Sequence, residues 1–435
     1  MIHPRIQMKE DCVILTHPDS IPGGQIAAIP SKSHAHRLLI ASALCGQKTE
    51  ILCPVTSKDI NATADCLRAM GTDITRTSRG FLTEGRPSLS PAELCVRESG
   101  STLRFLLPVL GALGISAGFQ MEGRLSKRPL SPLYEELCRH GMTLSPQGSN
   151  PLRVSGQLAA GEYTIDGGVS SQYITGLLLA LPMLHETSRL VITGRLESRP
   201  YVDITLKVLK SFGIEIKETL RPAEDVASVF EIPGAAWESS AAQPVTSVEG
   251  DWSNAAFFLA AGALTDKPVT VTGCDLSSPQ GDRAIAELLR EFGAIVETSE
   301  DSITVRRGTL TGISIDAANI PDLVPILSVV AAYAEGTTVI RNIERLRIKE
   351  SDRVATVTEL LTHLGSHCTA TESELRIEGS PSLPGGTVSS HNDHRIAMAA
   401  AIASLGTTGP VEILDPMAVT KSYPGFYEDF AKLLG

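Results

Sequence analysis

Amphipathic segments that end in glycine recur along the whole chain. Their apolar residues follow the spacing of a helix with one buried face, and glycine suits the left-handed position that follows a helix. Most of the segments lead into a β-prone run, for example at residues 72–76, 214–217 and 295–298. The glycines lie about 70 to 80 residues apart and are Gly71, Gly141, Gly213, Gly293, Gly365 and Gly435.

A second set of segments, apolar on all sides, repeats in phase with the first. Segments of this kind are typical of helices buried in a core. The first of these segments begins directly after Ser33. The other five occupy residues 103–113, 173–184, 255–264, 323–333 and 396–405. Two independent markers with one period predict six copies of a unit of about 70 residues, with a buried inner helix, an amphipathic outer helix and strands between them.

The two chain ends complete each other in this repeat. The sixth unit stops at Gly435, where a strand should follow, and residues 12–16 have the composition of a strand. We therefore expect both ends to share one domain, residues 1–28 plus 247–435. Units one to three then form the other domain, residues 29–246. The stretch rich in Ala, Ser, Gln and Pro at residues 235–244 favours a boundary there.

Composition narrows the class of protein. A chain of 435 residues, 42% of them hydrophobic, is long enough for two domains. A net charge of -11 and an aromatic content of 4% argue against a nucleic-acid partner. The apolar segments fall short of the ~18–20 residues that span a bilayer, so we expect no membrane partner. Locally basic segments in an acidic protein indicate a small anionic substrate.

The eight cysteines are scattered, with no C-x-x-C pair. This pattern fits a reducing cytosol better than a disulfide framework. A catalytic cysteine is one alternative, but small core residues are the simpler interpretation. Residues 1–5 lack the apolar core of a signal peptide, so we expect a cytoplasmic protein. No clear oligomerisation surface stands out, so we expect a monomer.

A polar cluster precedes each apolar helix. Ordinary N-capping by Ser and Asp explains much of the pattern. It does not explain Lys32, Arg37, Arg104 and Arg395, because a cation near a helix N-terminus opposes the helix dipole. An anionic ligand shared by several helix ends would remove that conflict. The clusters lie at residues 31–33, 98–102, 170–172, 249–254, 322 and 392–395.

Further basic clusters lie between the units, at residues 127–129, 198–201, 341–353 and 421–424. A solvated charged face is the ordinary explanation for such runs. However, the run at residues 341–353 mixes both signs around Ile343, Leu346 and Ile348, which suits a partly buried site better.

Eight motifs, in order along nearly the whole chain, resemble those of the enolpyruvyl transferase family. They are Pro30-Ser31-Lys32-Ser33 with Arg37, Gly100 with Arg104, Lys127-Arg128-Pro129, Ser170-Ser171-Gln172, Arg199-Pro200-Tyr201-Val202-Asp203-Ile204-Thr205, Lys349-Glu350-Ser351-Asp352-Arg353, Asn392-Asp393-His394-Arg395 and Lys421-Ser422-Tyr423-Pro424. The resemblance implies two inside-out α/β domains of three units each, with the active site in the cleft between them.

The resemblance also implies the reaction. The enolpyruvyl group of phosphoenolpyruvate is transferred to the 5-hydroxyl of shikimate 3-phosphate, which gives 5-enolpyruvylshikimate 3-phosphate and phosphate. This is a step of chorismate and aromatic amino acid biosynthesis, and it needs no metal or organic cofactor. The hydroxyl must lose a proton and the methylene must gain and then lose one, so the site needs a carboxylate base and an acid.

Roles for single residues follow from the same resemblance. Asp322 would be the base toward the 5-hydroxyl, while Glu350 and Lys32 would handle the methylene proton. The side chains implied to bind shikimate 3-phosphate are those of Lys32, Ser33, Arg37, Ser170, Ser171, Gln172, Ser198, Tyr201, Asp322, Arg345 and Lys349. Those implied to bind phosphoenolpyruvate are Lys32, Gly100, Arg128, Gln172, Arg353, Arg395 and Lys421.

Some residues fit the expected roles less directly. Lys349 and Arg353 beside Glu350 would ordinarily lower its pKa, so a proton-donor role would need the charge of bound substrate to raise it. The family often has Asn at the positions of Glu98 and Arg345, so Glu98 is left without a role. We expect Gly100 to leave room for the compact inhibitor glyphosate. His34 and His36 fit surface or capping roles better than metal binding, and His394 has no assigned role.

Two other functions remain open at this point. A sister enzyme of the family transfers the same group to UDP-N-acetylglucosamine, but it commonly has Lys-Asn where this chain has Lys32-Ser33. It also has a reactive cysteine in the loop where this chain has Ser126-Lys127-Arg128. A non-catalytic relative with six stacked units would not need Asp322 and Glu350 among cations. A phosphate-release assay separates these alternatives.

Overall fold

The computed structural model describes residues 3, 5–16, 23–88 and 91–435, so Met1, Ile2 and Pro4 of the stretch considered for a signal peptide lie outside it. The chain divides into two compact units. The central unit is Lys32–Val248, and the terminal unit combines Met1–Ser31 with Glu249–Gly435. These divisions fall slightly later than residues 28 and 246, because the Ser31 amide donates to the Glu249 carbonyl at 2.8 Å, within the terminal unit.

Inner and outer helices alternate along the chain. In chain order the helices are α1 (Lys32–Cys45), α2 (Lys58–Ala69), α3 (Gly100–Leu113), α4 (Leu133–Arg139), α5 (Ser171–Ala180), α6 (Arg199–Ser211), α7 (Trp252–Leu264), α8 (Ile285–Phe292), α9 (Val324–Ala332), α10 (Arg353–His363), α11 (His394–Ala403) and α12 (Phe426–Leu434). None of them, over the part of the chain that is described, is long and apolar enough to cross a membrane.

The odd-numbered helices are buried on nearly every side, and the even-numbered helices bury one face. This confirms the predicted inner and outer helices. Each outer helix is followed within two residues by a glycine with positive φ, which lets the chain turn without the steric cost of a Cβ atom. These glycines are Gly71, Gly141, Gly213, Gly293, Gly365 and Gly435.

Each sheet has four strands. In the central unit the sheets are β15 (Val245–Ser247), β4 (Thr49–Leu52), β6 (Gly80–Glu84), β5 (Asp73–Arg76); β7 (Ala92–Arg97), β8 (Ala117–Met121), β10 (Leu152–Gly156), β9 (Met142–Leu144); and β11 (Glu162–Asp166), β12 (Ser188–Thr193), β14 (Val226–Ile232), β13 (Lys217–Ala223). In the terminal unit they are β3 (Gly24–Ala27), β16 (Val269–Thr272), β18 (Ser302–Arg306), β17 (Ile295–Thr298); β19 (Ser314–Asp316), β20 (Thr337–Arg341), β22 (Glu374–Glu378), β21 (His367–Ala370); and β23 (Gly386–Ser389), β24 (Val411–Leu414), β2 (Cys12–Leu15), β1 (Ile6–Met8).

The six sheets formed by the described residues share one topology. In the order given, the first pair of strands is parallel and the other two pairs are antiparallel. The sixth sheet takes its last two strands from the N-terminus, with Val13 opposite Ile413. Strand β3 precedes α1, the first inner helix of the central unit, but pairs with β16 in a sheet of the terminal unit. Strand β15 precedes α7, the first inner helix of the terminal unit, but pairs with β4 in a sheet of the central unit.

Each unit has its own hydrophobic core, formed where its inner helices meet the inward faces of its sheets. In the terminal unit, α7, α9 and α11 pack on one another. An aromatic cluster joins α7 to α12, with the rings of Phe258 and Phe426 5.6 Å apart. In the central unit, α3 packs on α5, and α1 packs on α2 and α6. Since the helix bodies are apolar, their polar N-terminal residues are the ones that can meet a ligand.

Candidate active site

The first residue of α1 is held by an ion pair in the central unit. Lys32 Nζ lies 2.9 Å from Oδ2 of Asp59, which is in the first turn of α2. The two side chains are 15% and 10% exposed. An ammonium on four flexible methylenes is poorly fixed by itself, so the carboxylate defines where its charge lies.

Arg37, one turn further along α1, is buried against neutral oxygens. Its guanidinium donates to the hydroxyls of Thr205 and Thr175 at 2.8 and 3.1 Å and to the carbonyls of Ser33 and Tyr201 at 2.6 and 2.9 Å. Burial lowers the pKa of Arg37 to about 9. The side chain therefore ties α1 to α5 and α6, and its neighbours show how a cation is accommodated near the start of α1.

Two further arginines meet beside the start of α3. A Cβ atom built on Gly100 would lie 2.6 Å from Nη1 of Arg104 and 2.8 Å from Nη1 of Arg128. Arg104 also donates to the Gln172 side-chain oxygen at 2.9 Å, and Gln172 donates to the Ser101 hydroxyl at 3.0 Å. Burial lowers the pKa of Arg104. Gly100 thus lets two guanidinium groups approach the backbone more closely than a Cβ atom would allow.

The expected serine ligands lie at the starts of α5 and α6. Ser170 caps α5 by accepting from the Gln172 amide, and Ser171 begins the helix. Ser198 precedes α6 with φ of 54°, a left-handed conformation that costs a serine energy. Next to it, Arg199 forms a bidentate pair with Glu218, with both distances 2.7 Å. That pair fixes the Arg199 side chain next to Ser198.

A buried hydrogen-bond chain connects α1 and the middle of α2 to the start of α3. His36 Nδ1 lies 2.7 Å from the Thr63 hydroxyl, which bonds to Thr102, which bonds to Ser99. Burial, followed by the charges of Lys32 and Arg37, keeps the pKa of His36 well below its usual value. His36 is therefore a neutral core residue, far from the surface role that the sequence suggested.

The terminal unit gathers its expected residues around Arg353. Its Nη1 donates to Asp322 Oδ1 at 2.7 Å, and its Nε donates to Asp393 Oδ2 at 2.8 Å. Arg395 Nη2 donates to Asp322 Oδ2 at 3.1 Å. N-capping was the ordinary explanation for Asp322, but α9 begins at Val324 and the carboxylate bridges two arginines.

The electrostatics of this cluster follow from burial and charge. Burial alone would lower the pKa of Arg353, but Asp393, Asp322 and Glu350 raise it above its usual value. Burial alone would raise the pKa of Asp393, but the positive charge of Arg353 lowers that pKa below its usual value. The cluster is therefore a set of charged groups that stabilise one another inside the protein.

Glu350 and His394 form a second pair in the same cluster. Glu350 Oε2 lies 2.9 Å from His394 Nδ1, and His394 is 1% exposed. Glu350, Asp393 and His394 could each offer one ligand atom to a metal ion. However, Asp393 already accepts from Arg353, which supplies the positive charge there. The Glu350–His394 pair is better suited to exchanging a proton than to binding a metal ion.

The remaining expected residues of the terminal unit are Lys421, Arg345 and Lys349. Lys421 Nζ donates to the Asn392 carbonyl at 2.6 Å, and the residue is 7% exposed. Arg345 lies in a 3-10 turn and donates to the Ala318 carbonyl at 3.4 Å. Lys349 follows that turn and is partly exposed. Within the terminal unit, hydrogen bonds join Asp322 to Arg353 and Arg395, and Glu350 to His394.

Comparison with known proteins decides the family. The sequence model described as EPSP synthase (3-phosphoshikimate 1-carboxyvinyltransferase) matches residues 19–430. The chain belongs to this family. It is 40% identical over 418 residues to the 3-phosphoshikimate 1-carboxyvinyltransferase of Clostridium kluyveri, with 95% of both chains covered. It is 39% identical over 424 residues to that of Clostridium novyi, also with 95% of both covered.

Two solved structures have the same fold as this chain. EPSP synthase from Acinetobacter baumannii matches with a TM-score of 0.77 and 26% identity, covering 96% of this chain and 97% of that one. The enolpyruvyl transferase NikO from Streptomyces tendae matches with a TM-score of 0.76 at 21% identity, covering 97% of both chains. The second likeness concerns the fold alone. The predicted fold and family are confirmed.

Sequence reasoning missed two carboxylates that interact with expected site residues. Asp59 looked like an ordinary acidic residue in the first turn of an amphipathic helix, and nothing in the pattern paired it with Lys32. Asp282 lies in a 3-10 turn before α8 and is buried, although a charged residue there suggests a surface position. One signal was available for Asp282: it stands in a short polar stretch that the apolar spacing of α8 does not include.

Proposed function

We propose that this chain carries out enolpyruvyl transfer from phosphoenolpyruvate to the 5-hydroxyl of shikimate 3-phosphate, through the residues described above. The observation that carries the assignment of residues is the bridging of Asp322 by Arg353 and Arg395, at 2.7 and 3.1 Å. A base held against two cations that can also bind the anionic substrate is what this reaction requires.

Substrate binding would activate Asp322. Two guanidinium groups at hydrogen-bond distance make a carboxylate a weak base. Phosphoenolpyruvate offers a phosphate and a carboxylate, which compete for the same donors because Arg favours bidentate contact with both. As Arg353 and Arg395 turn toward the substrate, Asp322 is left with fewer donors and can accept the proton of the 5-hydroxyl. Catalysis would then begin only when phosphoenolpyruvate is bound.

The methylene proton falls to Glu350 and Lys32. Glu350 shares a hydrogen bond with His394, so a proton on that pair can be delivered and recovered. Lys32, fixed by Asp59, would supply a second donor and a positive charge beside the developing charge on the substrate. Because one acid must both donate and later accept, the closely spaced Glu350–His394 pair suits that step.

The other side chains would bind the two anions. In the central unit, Gly100 and Arg128 with Gln172 suit phosphoenolpyruvate, and Ser33, Arg37, Ser170, Ser171 and Ser198 suit shikimate 3-phosphate. In the terminal unit, Lys421 suits phosphoenolpyruvate, and Arg345 and Lys349 suit shikimate 3-phosphate. The proposal requires both sets to reach one substrate pair during turnover, with residues 1–28 plus 247–435 and residues 29–246 acting as the two domains.

The test is phosphate release with phosphoenolpyruvate and either shikimate 3-phosphate or UDP-N-acetylglucosamine. We expect release only with shikimate 3-phosphate. Asp322→Asn should abolish turnover, by about 10³-fold or more, while substrate binding measured by calorimetry persists. Asp266→Asn, which changes a carboxylate that is 78% exposed in the same unit, should have no effect. Near-normal turnover by Asp322→Asn would refute the assigned base.

We also propose that the protein acts in the cytoplasm as a monomer. The support for a reducing compartment is that all eight cysteines are free, including the exposed Cys95 and Cys138. Sedimentation of the purified protein tests the oligomeric state.

A further inference from the structure

Asp282 is a buried carboxyl group close to Asp322 that the proposed chemistry does not use. It lies in the 3-10 turn Gly281–Ala284 before α8 and is 3% exposed. Gln280, the residue just before this turn, accepts from the Trp252 amide at 3.1 Å and donates to the Gly250 carbonyl at 2.8 Å. These bonds tie the turn to the start of α7, so Asp282 has a fixed position.

Burial and an unbonded oxygen favour the neutral form of Asp282, and one hydrogen bond favours its ionised form. The Ser253 hydroxyl donates to Oδ2. Oδ1 is buried and has no hydrogen-bond partner among the residues that the structure describes. An ionised carboxylate needs donors on both oxygens, and a buried unbonded oxygen is costly for a charged group. A proton on Asp282 removes most of that cost.

The charges around Asp282 come from three other elements. Asp251 and Ser253 belong to the start of α7, Asp322 precedes α9, and Arg395 belongs to α11. On its own element, Arg283 donates to the Leu276 carbonyl, and Glu287 is largely exposed. Burial, and then the negative charge of Asp322, raise the pKa of Asp282 to about 7, while Arg395 and Ser253 oppose that rise.

We propose that Asp282 is a positioning residue. Its own charge controls whether the Arg395 guanidinium is available to bind the anionic substrate and Asp322. When the carboxyl is neutral, Arg395 serves Asp322 and phosphoenolpyruvate. When it is ionised, it competes for Arg395 and adds a negative charge to the pocket. This inference rests on the proposed function, since it concerns the same substrate.

The sign of the effect follows from linkage. Protonation of Asp282 strengthens binding of an anion, so binding of the anion must equally favour protonation. Affinity for phosphoenolpyruvate should therefore fall as the pH rises through neutrality. Binding at pH 7 to 7.5 should take up part of a proton per site.

The central experiment compares the full-length protein with Asp282→Asn, which is neutral at every pH. At pH 6 the two KM values for phosphoenolpyruvate should agree within about twofold, and at pH 8.5 the unmodified protein should have the higher KM, by about three- to tenfold. Titration of the substrate phosphate affects the KM of both proteins equally, so it cancels in the ratio of the two KM values. Calorimetry in two buffers of different ionisation enthalpy should show proton uptake that Asp282→Asn lacks.

Two more variants separate this role from a structural one. Ser253→Ala removes a hydrogen bond that favours the ionised form, so the pH transition in KM should move upward. Glu287→Gln changes a carboxylate on α8 that is 67% exposed and should leave the profile unchanged. If Asp282→Asn does not fold, the shift in Ser253→Ala decides the question.

The outcomes distinguish the two proposals. Identical pH profiles and proton uptake with and without the Asp282 carboxyl, or no shift in Ser253→Ala, would overturn the role of Asp282 while transfer activity stands. Absence of transfer in the unmodified protein would instead overturn the proposed function.

Discussion

The ammonium of Lys32 lies 2.9 Å from a carboxylate oxygen of Asp59, and these two side chains begin neighbouring helices of the central unit. Asp59 stands near the N-terminus of α2, where the helix dipole favours its negative charge. The pair gives a flexible cation a defined position at a helix start.

We expect Asp59→Asn to lower kcat/KM by about ten- to a hundredfold, because a displaced catalytic group loses the gain from orientation. Steady-state kinetics with both substrates provide the measurement. Asp65→Asn is the matched control on the same helix, since its carboxylate is 45% exposed and its ion pairs contribute little. Equal kinetics for the two variants would show that Lys32 does not need its partner.

Replacing Arg353 with Met should destabilise the protein by about 3–5 kcal/mol. The change leaves Asp393, which is fully buried, without its main charge partner. Urea denaturation measures the loss. Arg306→Met removes an exposed ion pair with Glu297 and should cost less than about 1 kcal/mol.

Adding Asp393→Asn to Arg353→Met should restore part of that stability, because the unpaired charge is then removed as well. A double variant that is less stable than Arg353→Met would contradict this explanation of the cluster.

Gly100→Ala should weaken the binding of phosphoenolpyruvate and of glyphosate. The new methyl group would lie 2.6 and 2.8 Å from the guanidinium nitrogens of Arg104 and Arg128, so both flexible side chains must move. We expect an increase in KM of about tenfold and weaker inhibition, both measured in the phosphate-release assay. Gly161→Ala is the control, because a Cβ atom at Gly161 would lie 3.5 Å from its nearest neighbouring atom. Strong glyphosate tolerance in the unmodified protein would contradict the prediction.

Acid should destabilise the protein through His34. Burial, followed by the charges of Lys207 and Arg37, lowers the pKa of His34 to about 3. The unfolded chain binds a proton there below pH 6.5 and the folded chain does not, so stability falls as the pH falls through 6.5. The loss between pH 6.5 and pH 5 should be on the order of 2 kcal/mol.

Calorimetric melting temperatures at pH 7 and pH 5 test this effect. The drop should be smaller in His34→Gln than in the unmodified protein. His367→Gln, at a position where the ring is 69% exposed, should keep the full drop. An equal drop in all three proteins would assign the acid sensitivity to other groups.

Most of the fold was predictable because it depends on local rules that act in every unit. Apolar residues on all sides of a segment predict burial, and a glycine after a helix marks the end of an outer helix. Both signals recur six times, so an ambiguous copy is interpreted with the help of the others. The same repetition indicated that the N-terminal strands were needed to complete the last unit, and β2 does pair with β24.

The site was predictable only in part. Motifs placed Lys32, Asp322, Glu350 and Arg395 at helix starts or in a basic run, which is local information. Their partners were not predictable, because Asp59 is 27 residues from Lys32 and Arg353 is 31 residues from Asp322. The neighbours of Arg37 were not predictable either, because the oxygens that accept from it lie up to 168 residues away in the chain.

The amino-acid sequence alone determined the six-fold repeat, the inner and outer helices, the family and the kinds of charged group in the site, since these depend on residue type and spacing. Only the tertiary structure decided which charges pair, which oxygen of Asp282 lacks a donor and which arginines lie beside Gly100. Those properties depend on distance and burial between residues far apart in the chain, and no local pattern encodes them.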